Sequence, residues 1–168
     1  MKITSLFAGD RGEPVISALP VDLVGRWTDG SWLYEFAHDG SYYAGGEATA
    51  YSISADGQSL TLDSSTYVRQ TRECEGIVGL WRNSSTEWCF RVDGSYTAHE
   101  IDGNSFDGIF EADGTNILRL EKRASVHANG NLLTFQPLWN VWEPAAYLRT
   151  GNELTLILGS NVLTWHAA

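Results

Sequence analysis

The stretch VGRWTDGSWLYEFAHDGSY at Val24–Tyr42 returns fifty-four residues later as VGLWRNSSTEWCFRVDGSY at Val78–Tyr96. Aligned without a gap, nine of the nineteen positions are identical: Val24/Val78, Gly25/Gly79, Trp27/Trp81, Ser31/Ser85, Phe36/Phe90, Asp39/Asp93, Gly40/Gly94, Ser41/Ser95 and Tyr42/Tyr96. Each copy reads as a Gly-x-Trp entry, an alternating strand, an Asp-Gly turn and a returning strand opened by Ser-Tyr. That is the pattern of an antiparallel hairpin, present twice.

Alternation fixes which side chains share a face. Trp32, Tyr34 and Phe36 fall on one side of the first strand, with Leu33, Glu35 and Ala37 on the other. The second copy keeps Trp88 and Phe90 together, opposite Glu87, Cys89 and Arg91. With Gly40 or Gly94 in the left-handed position of a three-residue loop, Phe36 faces Tyr42 and Phe90 faces Tyr96 across the hairpin. Four further hairpins follow, at Tyr51–Leu62, Ile109–Leu120, Val126–Phe135 and Tyr147–Leu156, and Val162–His166 reads as a last strand. No window shows a 3.6-residue apolar period, so little helix is expected. The expectation is an all-β fold, a single antiparallel up-and-down β-barrel of about 10–13 short strands. Residues 1–23 read as an N-terminal arm, and residues 24–168 as one barrel domain with its internal repeat at 24–72 and 78–125.

Composition removes several classes of function. Eleven Lys and Arg against 21 Asp and Glu give a net charge of -10, with no basic stripe, so a nucleic-acid backbone would be repelled. No segment approaches the roughly 20 apolar residues of a membrane helix, and the first residues lack a secretory pattern, so a soluble cytoplasmic protein is expected. Cys74 and Cys89 read as free thiols. His38, His99, His127 and His166 lack ligand spacing, so neither a metal nor a cofactor is expected.

At Gly25-x-Trp27, followed by alternating strands and Asp-Gly hairpins, the chain resembles the lipocalin and wider calycin group of up-and-down barrels. In that group a Gly-x-Trp opens the first strand, and its Trp packs across one end of the barrel. The resemblance spans roughly Val24 to the C-terminus and implies a barrel with an internal cavity, but no particular ligand. Two departures stand out: the lipocalin Thr-Asp-Tyr motif is absent, and Gly-x-Trp recurs at Gly79-x-Trp81.

The densest chemical signal is aromatic: seven Trp, seven Tyr and six Phe. Tyr and Trp carry a polar atom that needs a partner when buried, so Trp32, Tyr34, Tyr42, Trp88 and Tyr96 are candidates for lining a cavity rather than a dry core. In QPLWNVWEPAA, Trp139 and Trp142 lie in a proline-bounded connector suited to a lid over a barrel mouth. The same connector could seal the core or form a subunit contact in a homodimer. The expected function is binding of a small, largely apolar molecule in an aromatic lumen. The alternative is a cofactor-free cyclase or isomerase of a hydrophobic intermediate, with Glu100 and Tyr96 as its acid–base pair.

Overall fold

The computed structural model describes residues 18–72, 74–137 and 143–168. The strands are β1 (Gly25–Thr28), β2 (Leu33–Phe36), β3 (Ser41–Gly45), β4 (Thr49–Ile53) and β5 (Ser59–Leu62). Next come β6 (Ser65–Arg69), β7 (Gly79–Arg82), β8 (Thr86–Phe90), β9 (Ser95–Glu100) and β10 (Ser105–Ala112). The last are β11 (Asn116–Asn129), β12 (Leu132–Pro137), β13 (Glu143–Thr150), β14 (Glu153–Leu158) and β15 (Asn161–Ala167). No helix occurs among the described residues, so none there is long and apolar enough to cross a membrane. All fifteen strands pair antiparallel in an up-and-down order. The fold is all-β and barrel-like.

Fifteen strands exceed the expected ten to thirteen partly because β5 and β6 are joined by Asp63-Ser64, a turn without glycine. Both residues adopt left-handed backbone, at φ 50° and 65°, which the two-residue hairpin demands. Ordinary residues rarely accept that conformation, so sequence offers no warning of the turn.

The described chain forms two compact units. The first contains the described residues up to Asp29, Glu35–Tyr42 and Arg123–Ala168; the second contains Gly30–Tyr34 and Tyr43–Lys122. In the second unit the pairings run β4-β5-β6-β7-β8-β9-β10-β11 and return from the start of β11 to β4. Ile117 pairs with Ala112 on one side and Thr49 on the other, so this eight-stranded ring leaves no open edge there. The order β11-β12-β13-β14-β15-β1-β2-β3 likewise returns to β11, and within the first unit the Val126 amide donates to the Gly40 carbonyl at 2.7 Å.

The two copies of the repeated hairpin are anchored in the same way. Trp27 Nε1 donates to the Leu23 carbonyl at 3.0 Å, and Trp81 Nε1 donates to the Ile77 carbonyl at 2.8 Å. Both indoles are buried, at 2% and 0% exposure, and each is covered by a guanidinium. Arg69 lies 4.2 Å from the Trp81 ring centre and donates to the carbonyls of Gly57, Val78 and Gly76. Arg149 lies 5.2 Å from Trp27 and donates to the Asp22 and Gly151 carbonyls. The two arginines come from different strands, β6 and β13, so the repeat conserves the tryptophan while the cation is supplied independently. The expected cross-hairpin pairs are present: Phe36 and Tyr42 rings lie 5.1 Å apart, and Phe90 and Tyr96 rings 6.0 Å apart. Gly40 and Gly94 have φ of 91° and 86° in the loops between them.

Three turn aspartates tie these hairpins to pH. The Ser54 hydroxyl and Gln58 amide hold the Asp56 carboxyl below the usual range, and the Ser95 hydroxyl and amide do the same for Asp93. For Asp113 the cause is the amides of Asn116 and Thr115, then the Thr115 hydroxyl. Since the folded pKa is the lower one, the stabilisation is present above an unfolded value of about 3.9 and is lost as pH falls through the depressed folded values. Urea midpoints are therefore expected to fall below about pH 4, with a shallower fall when all three are changed to Asn. An identical acid limb in that triple variant would refute the assignment.

Candidate functional site

An eight-stranded ring is just wide enough to be filled by its own side chains or to hold one small ligand, so side-chain size decides which. The second unit packs large side chains together. Leu60, Leu62, Tyr67, Ile77, Trp81, Phe90, Tyr96 and Ile117 are buried together, with Tyr51, Ile53, Trp88 and Phe110 packed against them. The Trp88 indole stacks on Phe90 at 5.5 Å and 3°, and the Arg119 guanidinium lies 5.2 Å from its ring centre. Arg119 is held there by the Asp63 carboxylate at 2.7 Å and Thr49 Oγ1 at 3.3 Å.

The first unit contains a cavity of about 230 Å³, lined by Tyr42, Arg123, Ala124, Phe135, Leu156, Leu158, Leu163 and Trp165. Ala124, Leu156 and Trp165 are buried and form its inner wall, while Arg123 and Leu163 are exposed and mark its opening. Phe135 stands edge-on to Tyr42, with ring centres 5.4 Å apart, and Phe36 packs behind against Tyr42, Phe135 and Trp165. Strand alternation explains the wall: Leu154 and Leu156 point inward on β14, opposite Trp165 and Leu163 on β15.

Corresponding pairings give residue-by-residue equivalents in the two rings. Tyr147 faces Leu156 as Tyr51 faces Leu62, and Leu154 faces Trp165 as Leu60 faces Tyr67. The Val126 amide donates to Gly40 as the Phe110 amide donates to Gly94. Val126 faces Phe135 as Phe110 faces Arg119. Counting along the strands, Phe135 replaces Arg119, Leu158 and Leu163 replace Ser64 and Ser65, and Ala124 replaces Gly108. The first ring thus lacks the cation and its Asp63 anchor found in the second. Its corresponding wall is apolar.

The sequence candidates distribute unevenly. Tyr42 lines the cavity. Trp32 is 44% exposed between β1 and β2, and Tyr34 is half-buried in β2. Tyr96 belongs to the buried cluster of the second unit and Trp88 packs against it, with ring centres 5.8 Å apart, and the buried Trp88 Nε1 has no hydrogen-bond partner. Trp139 and Trp142, with the lid assigned to them, lie outside the described residues. Glu100 lines a polar depression of about 280 Å³ with Arg82, Asn83, Glu87 and His99, and Tyr96 is not part of that lining. Four residues of extended strand place Tyr96 and Glu100 about 13 Å apart along β9.

Sequence reasoning missed Phe135, Leu156, Leu158, Leu163 and Trp165 as wall residues. The available signal was the difference between repeats: where the second ring has Arg119 and Ser65, the first has Phe135 and Leu163. Cys74 and Cys89 are free thiols, both half-buried. No group of three or more His, Cys, Asp or Glu side chains among the described residues is placed to hold a metal ion. No protein-family model, curated protein or solved structure matches the chain.

Proposed function

We propose that this chain is a binding protein that takes a small, largely apolar molecule into the cavity of its first unit. The observation that carries the reading is the contrast between two rings of the same strand order. One stacks Trp88 on Phe90 and sets the Arg119 guanidinium over it; the other leaves about 230 Å³ walled by Tyr42, Phe135, Trp165 and three leucines. Typical ligand pockets run from about 300 Å³ upward, so the occupant is small, of single-ring or short-alkyl size. The likeness to lipocalin-type barrels supports a carrier only as analogy, since the same architecture hosts unrelated functions. A cyclase or isomerase working in the same cavity would have to draw on Tyr42 or Arg123, since Glu100 lies in the other unit.

Filling the cavity tests the reading. Leu163→Trp adds an indole at the opening, from a residue already 40% exposed, so the fold should tolerate it. Calorimetric titration with single-ring aromatics and short alkyl alcohols is expected to show binding by the native protein and at least a tenfold loss in the variant, about 1.4 kcal/mol. Equal affinities for the native protein and a folded Leu163→Trp variant would place the ligand elsewhere.

A further inference from the structure

Of the eight residues lining the cavity, seven are apolar or aromatic and one carries a formal charge, Arg123. Its position in the repeat makes that charge informative. Val126 corresponds to Phe110 through the amides donated to Gly40 and Gly94, so Arg123, three residues before Val126, corresponds to Asp107. Asp107 is exposed and faces Thr97 in the second ring. Between the two rings the charge at this position is inverted. The inversion accompanies the changes that open the interior: Arg119 to Phe135, and Ser64 and Ser65 to Leu158 and Leu163. The second ring keeps its guanidinium over an indole and bonded to Asp63; the first has none at that place, and Arg123 is the charged residue among those lining its cavity.

From this we infer that the ligand is an amphipathic carboxylate, its apolar body among Tyr42, Phe135, Leu156 and Trp165 and its carboxylate at Arg123. This rests on the cavity being the binding site. A guanidinium presents paired N–H donors that match a carboxylate, and at the edge of an apolar pocket it holds the charged end in partial contact with water while the body is buried. The chain's net charge of -10 favours a monoanion over a phosphate monoester, which carries nearly twice the charge at neutral pH and is repelled correspondingly more.

Three single-ring probes separate the possibilities: hydrocinnamate, hydrocinnamyl alcohol and phenyl phosphate, titrated calorimetrically into the native protein and Arg123→Gln. Hydrocinnamate is expected to bind the native protein about five- to tenfold more tightly than the alcohol and more tightly than phenyl phosphate. In Arg123→Gln the carboxylate-to-alcohol ratio should fall to about one, with Arg123→Lys in between. The assignment of charge is overturned if the alcohol binds as tightly as the carboxylate, if the preference survives Arg123→Gln, or if phenyl phosphate binds best. Binding of the alcohol alone leaves the cavity reading standing, whereas binding of none of the three overturns both.

Discussion

Trp81→Ala is expected to destabilise the protein by about 3–5 kcal/mol, the usual cost of truncating a large buried aromatic. The indole is fully buried, its Nε1 is bonded to the Ile77 carbonyl, and Arg69 stacks on its face at 4.2 Å. Removing it leaves the Ile77 carbonyl without that donor and takes away the surface that positions Arg69. That guanidinium ties together the carbonyls of Gly57, Val78 and Gly76. The damage should concentrate where those carbonyls lie, so amide exchange protection is expected to fall first in β5, β6 and β7. Trp81→Phe keeps the packing volume better and should cost roughly half as much. A loss below about 1 kcal/mol for Trp81→Ala would mean that the repeated tryptophan is not a keystone of the ring.

Gly108→Ala should produce the other large effect, although it adds only one methyl group. A Cβ at Gly108 would lie 2.1 Å from the Leu120 carbonyl oxygen, 2.8 Å from Tyr96 Cε1 and 3.0 Å from the Glu121 Cα. Two of those neighbours are backbone of β11, which is fixed by its pairing with β10, so neither can swing aside as a side-chain end could. The expected cost is about 3 kcal/mol, at the upper end for overpacking. Gly46→Ala, with nothing within 4 Å, is the control and should lie within about 0.5 kcal/mol of the native protein. Urea unfolding followed by tryptophan emission compares the three proteins directly. Equal midpoints for Gly108→Ala and Gly46→Ala would contradict the close approach of β10 to β11.

These positions also show what could be read from the sequence and what could not. The Trp81 hairpin was legible because Gly-x-Trp, alternation and Asp-Gly occur together and then recur at Trp27, so each copy supports the other. The Phe90–Tyr96 pair followed from loop length alone, and its ring spacing bears this out. The hydrogen-bonded order of the rings was not legible. It depends on Ala50 pairing with Asn116 and on Gly40 bonding to Val126, partners more than sixty residues apart that no local pattern specifies. The fourteen-residue β11 reads as the end of one hairpin and the start of another, because β10 pairs with its first half and β12 with its second.

The cavity was legible only in part. Tyr42 was found because an inward phenol on an alternating strand suggests a wall with a polar atom. Leu158 and Leu163 were not found, since a leucine facing a cavity and one packed in a core look the same in sequence. Arg119 was obscure for the opposite reason. A basic residue on a strand suggests an outward face, yet the Arg119 guanidinium lies over the Trp88 ring and pairs with the Asp63 carboxylate.

The claim that the first unit's cavity holds a ligand while the second unit's interior is occupied by its own side chains can be tested in one titration. Protein labelled with 5-fluorotryptophan is titrated with hydrocinnamate and hydrocinnamyl alcohol and observed by fluorine NMR, with Trp165→Phe and Trp88→Phe identifying the two decisive resonances. The cavity places Trp165 in its wall and leaves Trp88 stacked on Phe90 in the other unit. The Trp165 resonance should therefore shift with saturation while the Trp88 resonance stays fixed. A saturating shift of Trp88 with Trp165 unmoved would contradict the account, and so would titrations in which neither resonance moves.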